Sequence, residues 1–185
     1  AISNLESKQK AAEKIASKVM DGEVIGVGSG STSYLAVLAI AQRIKNEKLH
    51  IKAIPTSIEI ALTCSKMGIP VTSLYDNAPD WYFDGADEVD PNNHMIKGRG
   101  GAMFKEKLIM SASRHNYILV DDSKLVDSLG SKFPIPVEIF PNALMNVEAK
   151  LKMLGAHEIL LRPAQGKDGP VISESGNLIL DVRFD

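Results

Sequence analysis

The sequence predicts an α/β protein: a parallel sheet flanked by helices over residues 1–130, followed by a smaller α+β unit over residues 131–185. Two observations carry that reading. Short apolar runs alternate with helix-period segments through the first part of the chain, which implies parallel strands joined by right-handed crossovers. After Gly130 the alternation breaks into a proline-spaced segment, one helix and turn-bounded strands. A third feature locates the function. Gly28-Ser29-Gly30-Ser31-Thr32, Asp84-Gly85-Ala86-Asp87-Glu88 and Lys97-Gly98-Arg99-Gly100-Gly101 each follow an apolar run that reads as a strand. In an open α/β sheet such strand ends converge on one crevice.

The elements follow in order. Leu5, Ala12, Ile15, Ala16, Val19 and Met20 recur at helical spacing, so a helix is expected over 5–20, closed by Asp21-Gly22. Val24 to Val27 is a short buried strand. Ser31 or Thr32 opens a second helix carrying Leu35, Leu38, Ala41 and Ile44. Residues 51–54 read as a strand, 58–67 as a helix stopped by Gly68, and 71–74 and 81–83 as further strands. A helix over 102–114 and a strand over 117–120 complete the alternation. Proline removes a ladder donor, so Phe133-Pro134-Ile135-Pro136-Val137 is expected to run from a linker into an edge strand. A helix over 142–154 ends at Gly155, and a strand spans 157–161. Val171-Ile172 and 178–182 flank Ser175-Gly176-Asn177 as a hairpin.

Composition narrows the function classes. The chain has 185 residues, 44% hydrophobic and 24% charged, as in soluble globular proteins. A net charge of −2 supplies no field for nucleic acid or an anionic membrane, so neither is expected as a partner. No apolar segment reaches transmembrane length, and Ala1 to Met20 is amphipathic rather than a signal-peptide core. The single cysteine, Cys64, reads as a small buried apolar residue, consistent with a reducing, cytoplasmic setting. His50, His94, His115 and His157 lack metal-motif spacing, so no metal is expected; His115 is expected at a helix C-terminus.

The glycine run at 26–32 has two open readings: a tight turn with an N-cap, or an anion cradle built from backbone N–H groups, hydroxyls and a helix dipole. A dinucleotide fingerprint fits poorly, because Ser31 stands where glycine is needed and Pro55-Thr56-Ser57 supplies no acidic residue; a P-loop lysine is absent. Asp84 and Asp87 read either as solvated turn residues or as part of a carboxylate cluster with Glu88 and Asp90, in which like charges raise one another's pKa. Glu106 shares a helix face with Met103 and Met110. It is either a surface glutamate between Lys105 and Lys107 or a partly desolvated general base. Lys97, Arg99 and Lys124 are the candidate cations, each with a plain surface reading beside it.

Taken together, these segments resemble the type A ribose-5-phosphate isomerases. The likeness runs through 26–32, 84–88, 96–102, Lys105-Glu106-Lys107, 120–124, 133–138 and 176–181, in order and across nearly the whole chain. It implies a Rossmann-like α/β domain with a small α+β domain that helps form a homodimer. It also implies interconversion of D-ribose 5-phosphate and D-ribulose 5-phosphate, in the non-oxidative branch of the pentose phosphate pathway, without metal or organic cofactor. Under the resemblance Ser29, Gly30, Ser31 and Thr32 form the substrate loop. Asp84, Gly85, Ala86 and Asp87 form the acidic loop, and Lys97, Gly98, Arg99 and Gly100 the lysine loop. Glu106 falls on the catalytic base and Lys124 on a second substrate-binding lysine. Asp84, Asp87 and Lys97 are the other catalytic residues it implies.

Three departures accompany the match. Ser29 stands where many members have threonine, which keeps the hydroxyl. Arg99 stands where bacterial members usually have glycine; similar arginines occur in eukaryotic members. Family members continue a few dozen residues further, so the chain ending at Asp185 is expected to lack their C-terminal segments. Two rival readings are a sugar-phosphate sensor, needing the anion cradle but neither Glu106 nor Lys97, and an acyl-CoA transferase with Glu106 as nucleophile.

Overall fold

A computed structural model of the chain describes residues 2 and 4–184. Two compact units are present, and neither is continuous in sequence. One comprises Ala1–Ala86 with Lys105–Ser123, the other Asp87–Phe104 with Lys124–Asp185.

The first unit is a parallel sheet of four strands: β1 (Val24–Val27), β2 (Lys52–Pro55), β3 (Trp81–Asp84) and, later in the chain, β6 (His115–Ile118). Their order is β2-β1-β3-β6. Side chains alternate across a strand, so successive residues of β3 serve opposite faces. Trp81 and Phe83 join a core with Ile15 of α1 (Leu5–Ala16), Val37 and Ile40 of α2 (Ser31–Glu47) and Ile60 of α3 (Ile58–Lys66). Tyr82 packs instead with Ile54 of β2 and Ile109 of α4 (Met103–Ala112). Cys64 is fully buried in the first core, and burial pushes its thiol up to about 11. It is the small apolar residue its surroundings require.

The second unit holds an antiparallel pair, β4 (Glu88–Val89) with β5 (Met95–Ile96), and an antiparallel sheet of order β7-β9-β8. Those strands are β7 (Ile135–Ile139), β8 (Ala156–Leu161) and β9 (Leu178–Phe184). Pro136 lies on the edge strand β7, where a missing N–H costs no ladder bond. The amphipathic α5 (Leu144–Met153) covers one face through Leu151 and Val147, against Leu180 and Val182.

Several expectations change. The first helix stops at Ala16, because residues 17–20 leave helical geometry before Gly22 turns the chain at φ 82°. Residues 71–74 form no strand; a single bridge, Val71 to Ala53, is all that pairs there. Met95-Ile96 is outside the parallel sheet, since its partner is the neighbouring Glu88-Val89. His115 begins β6 instead of ending a helix, because α4 terminates at Ala112 and β6 must start there to pair with Trp81. Val171-Ile172 is not a strand. The turn is present, with the Ser173 and Gly176 amides donating to the Asn177 and Ser173 carbonyls, but β9 is paired on both sides by β7 and β8. Among the described residues no helix is long and apolar enough to cross a membrane.

Candidate active site

In the first unit the candidate residues gather where β1, β2 and β3 end. The Gly28 amide donates to the Phe83 carbonyl at 2.8 Å, drawing the end of β1 against β3. A methyl on Gly28 would fall inside the Asp84 carboxylate and 2.6 Å from the Asp84 Cα, so only glycine allows this approach. Asp84 is buried. Its Oδ1 accepts the Gly85 amide at 2.8 Å, and its Oδ2 accepts the Tyr82 hydroxyl.

Glu106 is 7% exposed, in the first turns of α4, with Met103 and Met110 half-buried on the same helix. The surface alternative for Glu106 is thereby excluded. Burial pushes the Tyr82 phenol far above its ordinary value; the charge and hydrogen bond of Asp84 push it further, as does the charge of Glu106. Tyr82 is therefore a neutral donor that senses both carboxylates.

The glycine run leads into the N-terminus of α2. Gly30 is its N-cap at φ 92°, a conformation suited to glycine, and nothing lies within 4 Å of where its Cβ would be. The first-turn N–H groups of an α-helix have no intrahelical partner, so this end carries partial positive charge. Ser31 and Thr32 are half-buried there, and Lys8 Nζ donates to Ser31 Oγ at 3.0 Å. Ser29 reaches sideways instead. Its hydroxyl lies 2.7 Å from Thr56 Oγ1 and donates to Ser57 Oγ at 2.9 Å. Ser57 in turn caps α3 by accepting the Ile60 amide at 3.3 Å. The two helix starts are thus laced together by hydroxyls. Thr56 and Ser57 were legible as a hydroxyl pair at a strand end, but their link to Ser29 depends on the parallel pairing of β1 with β2.

In the second unit the Asp87 amide donates to the Ile96 carbonyl at 2.8 Å, and Asp87 Oδ2 accepts the Arg99 amide at 3.0 Å. This ties the acidic loop to the lysine loop. Lys97 is half-buried. Gly98, at φ 105°, would put a Cβ 2.9 Å from Met103 Cβ and 3.1 Å from Pro136, so it too must be glycine. Gly100 is exposed, and Arg99 lays its guanidinium 4.3 Å from the Phe133 ring. Arg162 brackets the loop from behind. It forms a two-point pair with Asp181, at 2.8 and 2.6 Å, and donates to the Arg99 carbonyl at 3.0 Å. Sequence reading missed this brace, because it depends on the register of β8 against β9. Lys124 is half-buried at the end of a single 3₁₀ turn, Asp122–Lys124.

The expected crowding of Asp87, Glu88 and Asp90 does not occur. Glu88 is fully buried and turns to the segment 130–133, accepting the Gly130 and Lys132 amides at 2.6 Å and the Phe133 amide at 3.0 Å. Asp90 closes the β4–β5 turn. Burial pulls its carboxyl up, but the amide and ring of His94 and the amide of Asn92 outweigh this and hold it below its ordinary value. Among the described residues no three His, Cys, Asp or Glu side chains gather as a metal-binding group.

The family described as ribose 5-phosphate isomerase A (phosphoriboisomerase A) matches residues 52–185. A ribose-5-phosphate isomerase A of Methanothermobacter thermautotrophicus is 41% identical, over 96% of this chain and 77% of its own length. One from Thermosynechococcus vestitus is 44% identical, over 96% and 76%. The solved ribose 5-phosphate isomerase A of Methanocaldococcus jannaschii superposes with a TM-score of 0.94 at 41% identity, covering 97% of this chain and 80% of that one. A D-ribose-5-phosphate isomerase in complex with phospho-erythronic acid gives 0.93 at 38% identity, covering 99% and 80%. With this family model matching most of the chain, and relatives of this similarity along nearly its full length, the chain belongs to the ribose 5-phosphate isomerase A family.

Proposed function

We propose that this protein is an aldose–ketose isomerase that interconverts D-ribose 5-phosphate and D-ribulose 5-phosphate. The reaction moves one proton between C2 and C1 of the open-chain sugar through an enediolate. Glu106 takes the proton from C2 and returns it to C1. Its burial near neutral Tyr82 is the observation that carries this reading, because a shielded carboxylate is a better base than a solvated one.

The other roles follow the family resemblance. Asp84 exchanges a proton with the ring oxygen or the C1 hydroxyl during ring opening, and Asp87 orients hydroxyls. Lys97 stabilises the negative charge that develops on the carbonyl oxygen, a task for which a fixed donor contributes about 3–4 kcal/mol. Ser29, Gly30, Ser31 and Thr32 hold the phosphate, with Lys124; the open Gly30 at the start of α2 supports this assignment. Gly85, Ala86, Gly98, Arg99 and Gly100 shape the acidic and lysine loops around the sugar. Phosphate binding positions the reacting carbons and so contributes to kcat. No metal or organic cofactor enters this scheme. A homodimer in the cytoplasm is the accompanying proposal, and it rests on the family resemblance.

The test is ketose formation from ribose 5-phosphate in deuterium oxide with a chelator present. The expected result is undiminished turnover, with solvent deuterium entering the sugar. Absence of ketose, or abolition by the chelator, overturns the proposal.

A further inference from the structure

Tyr82 stands at an unusual place for a phenol. Its residue is fully buried, and its ring packs between Ile54 and Ile109, where a phenylalanine would fill the same space without burying a hydroxyl. Gly26 of β1 and Gly28 just beyond its end make room for it and for its partner. A Cβ on Gly26 would lie 3.0 Å from Tyr82 Cδ2 and 2.7 Å from Ile109 Cγ2, and one on Gly28 would invade the Asp84 carboxylate. Tyr82 and Asp84 are two residues apart on β3 and so share a face. The hydroxyl donates to Asp84 Oδ2 while the Gly85 amide, at 2.8 Å, holds Oδ1. Among the described residues, the charges that act on the phenol are those of Asp84 on its own strand and Glu106 on α4. Gly26 of β1, Ile54 of β2 and its register partner Asn116 of β6 bring no charge.

The geometry points to Tyr82 as a positioning residue for the isomerisation proposed above, fixing the orientation of the Asp84 carboxylate through its hydroxyl. The inference rests on that functional reading. The Tyr82 hydroxyl on Oδ2, with the Gly85 amide on Oδ1, pins the plane of the carboxylate. It also leaves Asp84 no freedom to turn its hydrogen-bonding edge away from the sugar.

The test is Tyr82→Phe, alone and with Asp84→Asn, compared with the wild type on ribose 5-phosphate. A hydrogen bond to a charged group sets the scale: kcat of Tyr82→Phe is expected to fall about 10- to 100-fold, with KM within about twofold. If Tyr82 acts through Asp84, adding Tyr82→Phe to Asp84→Asn changes kcat by less than about twofold. Thermal melting of each variant separates misfolding from a specific effect. An active wild type with an unaltered Tyr82→Phe kcat overturns the inference alone, as does a kcat loss that simply adds to that of Asp84→Asn. An inactive wild type overturns the functional reading first.

Discussion

Gly28 shows how the absence of one methyl organises a site. The β1 end meets β3 so closely that any side chain there would displace Asp84. Gly28→Ala is therefore expected to cost about 1–3 kcal/mol of stability, as overpacking does, and to lower kcat by moving the carboxylate. Chemical denaturation and steady-state kinetics on the same sample check both. Glu106→Gln isolates a different property. It keeps size and burial but removes the base, so kcat is expected to fall by orders of magnitude while KM stays close to wild type. A near-normal kcat would remove Glu106 from the chemistry. The acidic and glycine-rich loops were legible in the sequence, since their residue types have few other uses in that order. The burial of Glu106 was only half legible, because flanking Lys105 and Lys107 make its helix look solvated. Tyr82 left a signal too: residues i and i+2 of a strand lie on one face, which pairs its hydroxyl with Asp84.

Strands and helices with strong periodicity were readable, and apart from the overlong first helix their failures are failures of partnership. Residues 71–74 have strand composition yet lie where only one bridge to Ala53 is available. His115 sits in β6 because Trp81 lies opposite, a fact no local pattern encodes. The lysine loop teaches the same lesson. Its glycines were visible, but the Arg162–Asp181 brace behind it is the product of sheet register. Arg162 donates to the Gly98 and Arg99 carbonyls, while the Gly101 amide closes the turn onto Gly98 at 2.9 Å. Arg162→Ala is thus expected to loosen this turn. Faster hydrogen exchange at the Gly101 amide, with exchange in β1 and β3 unchanged, is the result that checks it; equal protection in both proteins would assign the hold to the glycines alone.

At the scale of the whole chain, the division into units cuts across sequence order. Residues 87–104 belong with the C-terminal sheet because Glu88 binds the amides of 130–133, Gly98 packs on Pro136 and the Phe104 amide donates to Glu138 at 3.2 Å. Those contacts span tens of residues, so periodicity alone cannot reveal them. A ligand offers a global readout of the proposed chemistry. Anything that binds only the folded state stabilises it by mass action, by ~2.7 kcal/mol at a hundredfold excess over Kd. For a protein of this size that corresponds to a rise in Tm of about 5–11 °C. Ribose 5-phosphate is expected to produce it, and ribose without its phosphate to produce little, because the start of α2 is the proposed anchor. Glu106→Gln should retain the shift while losing turnover, whereas Thr32→Ala should lose much of it. If ribose stabilises the protein as strongly as its phosphate ester, the α2 terminus is not where the substrate is held. If Glu106→Gln loses the shift together with its activity, the glutamate is holding the sugar rather than moving its proton.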